Sequence, residues 1–329
     1  MSKPSKVLVT GGAGFIGSHC CKALRAAGFD PVVYDNLSMG HRENVKWGEL
    51  HQGDLLDSNA LAAALATVKP IAVIHLAASA YVGESVINPA KYYRNNVAGM
   101  ESLLNACQAQ GVSNFIFSSS CATYGIPKTD LINEATEQRP INPYGRTKLI
   151  GEHMLEDFAS AYGLKFAILR YFNACGADLD GEIGEWHDPE THLIPRVLMA
   201  ASGKIPEIEI FGDDFPTPDG TCIRDYVHVV DLANAHVRAL QHLLGQSPNI
   251  KVNLGTGRGH SIREILAAVE RFSGRPVPAV FKPRREGDPP RLVADVTLAK
   301  SQLGFNPQYS DMETIIRTAA PFFGLKVQG

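Results

Sequence analysis

The chain has 329 residues, of which 45% are hydrophobic and 20% charged, and a formal net charge of −3. That balance suits a soluble globular protein of one large or two ordinary domains. The mild acidity argues against nucleic acid or an anionic membrane as a main partner. No apolar run reaches the length of a membrane span.

Met1–Lys6 leads straight into a strand pattern, so no signal peptide is expected. The first informative stretch follows at once, Val7 to Cys20, reading VLVTGGAGFIGSHC. Val7, Leu8 and Val9 predict a short buried strand. Gly11, Gly14 and Gly17 then fall in a GxxGxxG frame, and an apolar helix pattern continues from Phe15 and Ile16. Glycines there permit a tight turn, bring backbone N–H groups close to a pyrophosphate, and let the helix pack on its strand. A glycine-rich turn without a ligand would look the same locally, but the next strand pattern, Pro31–Asp35, ends in an acid 18 residues after Gly17. The Asp35 carboxylate can accept hydrogen bonds from a ribose diol and would repel a 2′-phosphate. NAD is therefore expected in preference to NADP.

Further strand patterns lie at Leu50–Gly53, Ile71–Leu76, Asn114–Ser119 and Lys165–Tyr171. Helical patterns at Ser58–Ala66, Tyr93–Gln110 and Pro143–Tyr162 separate them. Apolar strands alternating with helices predict a doubly wound parallel α/β sheet of the Rossmann type, covered on both faces. After Gly176 the texture changes. Loops rich in Gly, Asp and Pro alternate with strands at Glu207–Phe211 and Val252–Gly255 and helices at Val229–Leu244, Ser261–Gly274 and Asp311–Ala320. The expected organisation is a dinucleotide-binding domain over 1–175 and a smaller mixed α/β substrate lobe over 176–329, interleaved with the first.

Six cysteines, Cys20, Cys21, Cys107, Cys121, Cys175 and Cys222, lie mostly in apolar segments and form no CxxC pair. Buried reduced thiols and a cytoplasmic setting are expected. The eleven histidines look dispersed, and no metal site is expected.

Tyr144 and Lys148 form a YxxxK pair within Asn142–Lys148. Residues four apart share one helical face, about 6 Å apart along the axis. A phenol with a pKa near 10 is almost wholly protonated at neutral pH, and lowering that pKa to about 7 costs roughly 4 kcal/mol. A lysine ammonium about 4 Å away at an effective dielectric of 20 supplies about that much. The spacing can thus make a tyrosinate base, although a surface helix pair would have the same spacing. Upstream, Phe115–Ser120 ends a strand 24 residues before Tyr144. In open parallel sheets ligands bind outside the carboxyl ends of strands. A hydroxyl there, Ser120 in preference to Ser119, can share a hydrogen bond with substrate and Tyr144.

The glycine loop, the Asp35 strand end, Asp54 after Gly53, His75–Ala78, the serine triplet and Pro143–Lys148 together resemble the extended short-chain dehydrogenase/reductases. Val82–Ser85, Tyr92–Asn96, Arg170–Asn173, Asp219–Tyr226 and Arg284–Asp288 narrow the resemblance to the UDP-glucose 4-epimerases, over essentially the whole chain. The resemblance implies residue roles. Asn36, Asp54 and Leu55 would flank the adenosine, Leu76 and Ala77 the ribose and diphosphate. Asn96 would anchor backbone beneath the cofactor, and Phe172 would sit by the nicotinamide. Asn173, His192, Leu193, Phe211, Arg224, Arg285 and Asp288 fall where the family binds UDP, and Leu292 where it lines the sugar pocket. Paired guanidinium forks suit a pyrophosphate independently of any resemblance. A homodimer is implied as well, with helices such as Tyr92–Gln110 and Pro143–Tyr162 pairing across subunits.

Three positions depart from the family pattern: Ala80 replaces a lysine of some members, His192 stands where asparagine is usual, and Leu292 replaces a tyrosine or a small residue. The expected activity is NAD-dependent interconversion of UDP-glucose and UDP-galactose through a 4-keto sugar. Tyr144 would be the base, with Lys148 and Ser120 assisting. A 4,6-dehydratase needs an Asp-Glu pair just after the strand-end hydroxyl, where this chain has Cys121 and Ala122. Epimerases of UDP-pentoses or UDP-N-acetylhexosamines remain alternatives, as does a non-catalytic NAD sensor.

Overall fold

Val7, Leu8 and Val9 have no solvent exposure, because the strand they form lies at the centre of a seven-stranded sheet with both faces covered. The structure is a computed structural model that describes residues 4–285 and 287–327. The first residues of the Met1–Lys6 lead and Glu286 of the Arg284–Asp288 motif lie outside the described residues. Six strands follow in chain order: β1 (Lys6–Thr10), β2 (Asp30–Asp35), β3 (Glu49–Gln52), β4 (Ala72–His75), β5 (Asn114–Ser120) and β6 (Lys165–Tyr171). The chain then leaves the sheet through β7 (Asn173–Cys175), β8 (Ile208–Phe211) and β9 (Ile223–His228), and returns as β10 (Ile250–Leu254). The spatial order is β10-β6-β5-β4-β1-β2-β3, and every pair is parallel.

Strand alternation sorts the core into two layers. Val7, Val9, Val33, Ile74 and Ile116 face the helices Phe15–Ala26 and Val229–Leu244. Leu8, Val32, Val73, Phe115 and Phe117 face the helices Ser58–Val68, Gly99–Ala109 and Pro143–Tyr162. One cover of the sheet and its β10 edge thus come from beyond residue 228. Outside the sheet, β11 (Gly259–Ser261), β12 (Ala279–Lys282) and β13 (Arg291–Leu292) complete the smaller lobe. There β9 pairs with β11 and β13, β7 joins β9, and β12 pairs with β8.

Two local readings need correction. The single helix expected over Tyr93–Gln110 begins as a π-helical turn, Tyr93–Ala98, before continuing as Gly99–Ala109. The wider turn carries Asn96, whose amide accepts from the Ser79 N–H at 2.8 Å and donates to Thr147 Oγ1 at 3.0 Å. The strand β9 is not among the expected strands, because Arg224 and Asp225 interrupt its apolar run.

Helix Pro143–Tyr162 is fixed to the sheet by buried charge. Arg170 on β6 and Glu152 on the helix are 2% and 1% exposed and meet at 2.5 Å. Arg170 also donates to Tyr124 and Gln138, and Glu152 accepts from Ser119 on β5. Glu152→Ala leaves the guanidinium buried and uncompensated, and should cost about 3–5 kcal/mol. Urea unfolding of the two proteins measures this; a loss under about 1 kcal/mol would show that the guanidinium finds water instead.

Candidate functional site

The sheet reverses its strand order between β1 and β4, and a cleft of about 830 Å³ opens above that switch point. Its floor is built from the glycine loop. Gly11 has a φ of +73°, and a Cβ on it would lie 2.6 Å from the Ala77 nitrogen. A Cβ on Gly17 would lie 2.1 Å from the Gly11 oxygen. Gly14 caps the helix with no side-chain hydrogen bond, and no acid occupies the first turn. The free N–H groups and the positive end of the helix dipole therefore face the cleft. Phe15 and Ile16 line it beside them.

Asp35 ends β2 at the rim. Its carboxylate accepts the backbone N–H of Ala13 at 3.0 Å and of Leu37 at 2.8 Å. Burial raises its pKa, while those two N–H groups oppose the shift. Arg42, seven residues on, donates to Gln52 at 2.7 Å. Asn36 donates to Asp54 at 2.9 Å, and both line the same end with Leu55, Leu76 and Ala77. Asn96 is absent from the lining and acts from behind it, through Ser79 and Thr147.

At the strand ends the three serines part ways. Ser118 bonds Tyr171 and Ser119 bonds Glu152. Ser120 lines the cleft beside Tyr144, and its hydroxyl accepts the Ala122 N–H at 3.1 Å. Asn142 caps the following helix by accepting from the Gly145 N–H at 2.8 Å, with Pro143 in the first turn. That start puts Tyr144 and Lys148 on the face toward the cleft. The Lys148 ammonium donates to the Ser118 carbonyl at 2.6 Å and stands 5.9 Å from the centre of the Tyr144 ring.

The electrostatics correct the simple pairing argument. Burial pushes the Tyr144 phenol up to about 12, although the neighbouring Ser120 hydroxyl works against it. Burial also pulls Lys148 down to about 7, against the attraction of Glu152. A lysine four residues on is thus not sufficient alone to make a tyrosinate, because the same burial that strengthens the attraction penalises both charges.

Phe172 and Asn173 follow β6 into the cleft. The Asn173 amide donates to the Asp225 carbonyl at 2.9 Å. Arg224, Arg285, Asp288 and Leu292 line the opposite end. Leu292 is placed there by β13, where it pairs with Arg224. Phe211 lies outside the lining, but the Arg285 guanidinium sits 3.9 Å from its ring centre. His192 and Leu193 start the helix Leu193–Ser202 at the cleft wall.

The dispersed-histidine reading fails here. His187 and His192 converge with Glu185 and Glu190. Burial disfavours charge on the rings, but the carboxylates outweigh it, holding His187 up to about 9 and His192 up to about 10. Glu185, His187 and Tyr226 also line the cleft and were missed in the sequence. The signal was present as E-x-H-x-x-E-x-H over Glu185–His192.

A parallel sheet with a glycine cradle, an acid on the next strand, and a Ser-Tyr-Lys set at the strand ends defines a nucleotide-dependent oxidoreductase-type fold and site. The chain belongs to the NAD dependent epimerase/dehydratase family, whose model matches residues 7–255. It is 51% identical to the UDP-glucose 4-epimerase of Rhizobium meliloti (strain 1021), over 99% of both chains. It is also similar to the crystal structure of UDP-glucose 4-epimerase from Brucella ovis in complex with NAD, with a TM-score of 0.97 and 62% identity, covering 98% of this chain and 100% of that one. The UDP-glucose-4-epimerase from Stenotrophomonas maltophila, with bound NAD and formylated UDP-arabinopyranose, has a TM-score of 0.94 and 40% identity, over 97% and 98% of the two chains.

The depressed lysine gives a pH signature. An unfolded lysine titrates near 10.4, whereas Lys148 in the fold titrates near 7. Between those values the unfolded chain holds the extra proton, so stability rises with pH, by at most about 1.4 kcal/mol per unit. In Lys148→Met this slope should vanish, and the variant's stability relative to wild type should fall as pH is raised through that window. Urea unfolding across the window measures it, and parallel curves would show an ordinary lysine.

Proposed function

We propose that this chain is an isomerase that interconverts UDP-glucose and UDP-galactose, using NAD. The observation that carries the reading is the single cleft with the glycine cradle and Asp35 at one end, Ser120, Tyr144 and Lys148 at its middle, and Arg224, Arg285 and Asp288 at the other.

The residues present fit NAD. A Cβ would fill the cradle at Gly11 and Gly17, the helix N-terminus is open, and the Asp35 carboxylate is buried at the rim. Gly11–Gly17 would hold its diphosphate, Asp35 and Asn36 the adenosine ribose, Asp54 and Leu55 the adenine. Leu76, Ala77 and Phe172 would line the remainder, with Asn96 bracing the backbone beneath. When bound, NAD supplies a hydride acceptor and donor at C4 of the sugar. Tyr144 removes the proton of the 4′-hydroxyl and later returns it. Ser120 hydrogen-bonds the same oxygen. Lys148 steadies the phenolate and holds the nicotinamide ribose. Arg224 and Arg285 clamp the UDP diphosphate, with Phe211 supporting Arg285. Asp288 accepts from the uridine ribose, while Asn173, His192 and Leu193 border the nucleotide. Because NAD would both take up and return the hydride, the reaction would be redox-neutral overall.

We place the enzyme in the cytoplasm, on its six buried free thiols. A homodimer through the outer faces of the π-started helix and the Tyr144 helix is the proposed assembly, and light scattering after size exclusion tests it. Among the described residues, no helix is long and apolar enough to cross a membrane.

The test is conversion of UDP-galactose to UDP-glucose by purified protein without net NADH; a sensor produces nothing. Tyr144→Phe should lower kcat by about 10²–10⁴-fold while keeping NAD, and near-normal turnover would sink the mechanism. Leu292 packs with Cys121, Tyr124 and Phe172 and sets the sugar pocket's size. UDP-N-acetylglucosamine and UDP-pentoses should be weaker substrates, by a graded margin of about 1–3 kcal/mol. In kcat/KM ratios, Leu292→Ser should favour the N-acetylated sugars and Leu292→Tyr disfavour them. Unchanged ratios in both would remove Leu292 from the pocket.

A further inference from the structure

Eight residues at the cleft wall, Glu185–His192, carry five side chains of metal-ligating type, and all but Asp188 converge. One donor atom from each of Glu185, His187, Glu190 and His192 lies within 4.8 Å of all the others. His187 Nδ1 stands 3.4 Å from Glu185 Oε1 and 3.3 Å from Glu190 Oε2. His192 Nδ1 stands 2.8 Å from Glu185 Oε1 and 3.2 Å from Glu190 Oε1. Both imidazoles therefore turn the same ring atom toward the same two carboxylates.

A zinc ion would ask for separations close to these. Zinc binds imidazole nitrogen and carboxylate oxygen at about 2.0–2.2 Å, which sets tetrahedral edges of about 3.3–3.6 Å. Each imidazole already stands 2.8–3.4 Å from an oxygen of both glutamates, and one donor atom from each of the four residues lies within 4.8 Å of the rest, so small side-chain rotations bring the set to those edges. We infer that Glu185, His187, Glu190 and His192 form a tetrahedral binding site for a zinc ion. The proposed reaction does not call for such a site.

Charge and burial point the same way. With both rings neutral, the set carries a charge of two minus, which a divalent ion balances. The Glu185 and Glu190 side chains are 3% and 6% exposed, so their charges need a partner close by. The field that favours a ring proton also favours a dication, and binding the ion releases those protons to solvent. Glu190 Oε1 accepts the backbone N–H of Thr191 and of His192, each at 2.8 Å, which orients the carboxylate. Tyr81 walls the cluster, its ring centre 6.1 Å from that of His187 and 6.2 Å from that of His192. Its hydroxyl is buried and without a hydrogen-bond partner among the described residues. The other acidic group, Asp178, Asp180 and Glu182, differs in kind, since the Lys22 ammonium already bridges all three.

All four ligands come from the protein, so the site is closed and structural rather than catalytic. It fastens a segment that also touches the nucleotide end of the cleft. Trp186 stacks on His41 with ring centres 3.7 Å apart, and His187 meets the edge of Phe15 at 6.3 Å. The ion would fix the entry of His192 and Leu193 into the cleft.

The test uses the purified full-length protein, stripped with a chelator, incubated with zinc chloride and desalted. Mass spectrometry of metal content should give about one zinc per chain, and the melting temperature should rise relative to stripped protein. Cobalt(II) in place of zinc should give the intense visible bands of a tetrahedral ion. Glu190→Gln and His187→Gln should each weaken retention by at least about tenfold, with circular dichroism reporting the fold. Less than about 0.1 zinc per chain in saturated wild type overturns the site, as does a full equivalent kept by both folded variants. If the variants do not fold, the wild-type cobalt spectrum decides, and the pale colour of octahedral cobalt overturns the assignment.

Discussion

The arrangement depends on one buried ion pair. Arg170 and Glu152 are charges held out of water, which is tolerable only because each is paired and every remaining polar atom is engaged. Glu152 lies one helical turn beyond Lys148. Its contacts to Arg170 on β6 and Ser119 on β5 therefore set the height of the helix Pro143–Tyr162 against the strand ends. With that height set, the Lys148 ammonium reaches the Ser118 carbonyl, and Tyr144 comes beside Ser120. Packing of apolar residues alone would leave the helix free to slide; a bidentate ion pair does not.

The cleft above this frame separates two tasks by chemistry. The nucleotide end uses backbone: glycines too crowded for a Cβ, a helix start with no competing acid, and one buried carboxylate. The opposite end uses side chains, with guanidinium groups from β9 and from the loop before β13. Between them lie groups whose protonation burial has shifted in opposite directions, the phenol upward and the ammonium downward. Each is thereby closer to its neutral form than in water. A positive charge or a negative oxygen arriving in the cleft would act on both.

Most of the first sheet was legible in the sequence because its strands are short apolar runs bounded by glycine, and a parallel sheet buries both faces. Lys165–Tyr171, Pro143–Tyr162 and Val229–Leu244 were read with their observed bounds. Legibility failed where tertiary contacts decide. Nothing local marks the π-helical turn at Asn96, which follows from the demands of Ser79 and Thr147. The strand β9 carries Asp225, whose carboxylate accepts from Thr256, Gly257 and Ala294, partners distant in sequence. The sequence argument for the Tyr-Lys pair counted attraction and left out desolvation, which no spacing reveals. The histidines looked dispersed because a count over the whole chain hides one eight-residue cluster.

The return of the chain as β10 bears on how the protein is made. Synthesis proceeds from the N-terminus, and domains generally fold as units as they emerge. Here β6 remains an unpaired sheet edge until residues 250–254 leave the ribosome. The face formed by Val9, Val33 and Ile74 also lacks a principal cover until the helix Val229–Leu244 arrives. From the completion of β6 at residue 171 until residue 254, the nascent chain thus presents an open parallel edge and an apolar face covered only by the helix Phe15–Ala26, features that invite aggregation. That exposure belongs to the connectivity of the chain rather than to the stability of the finished molecule.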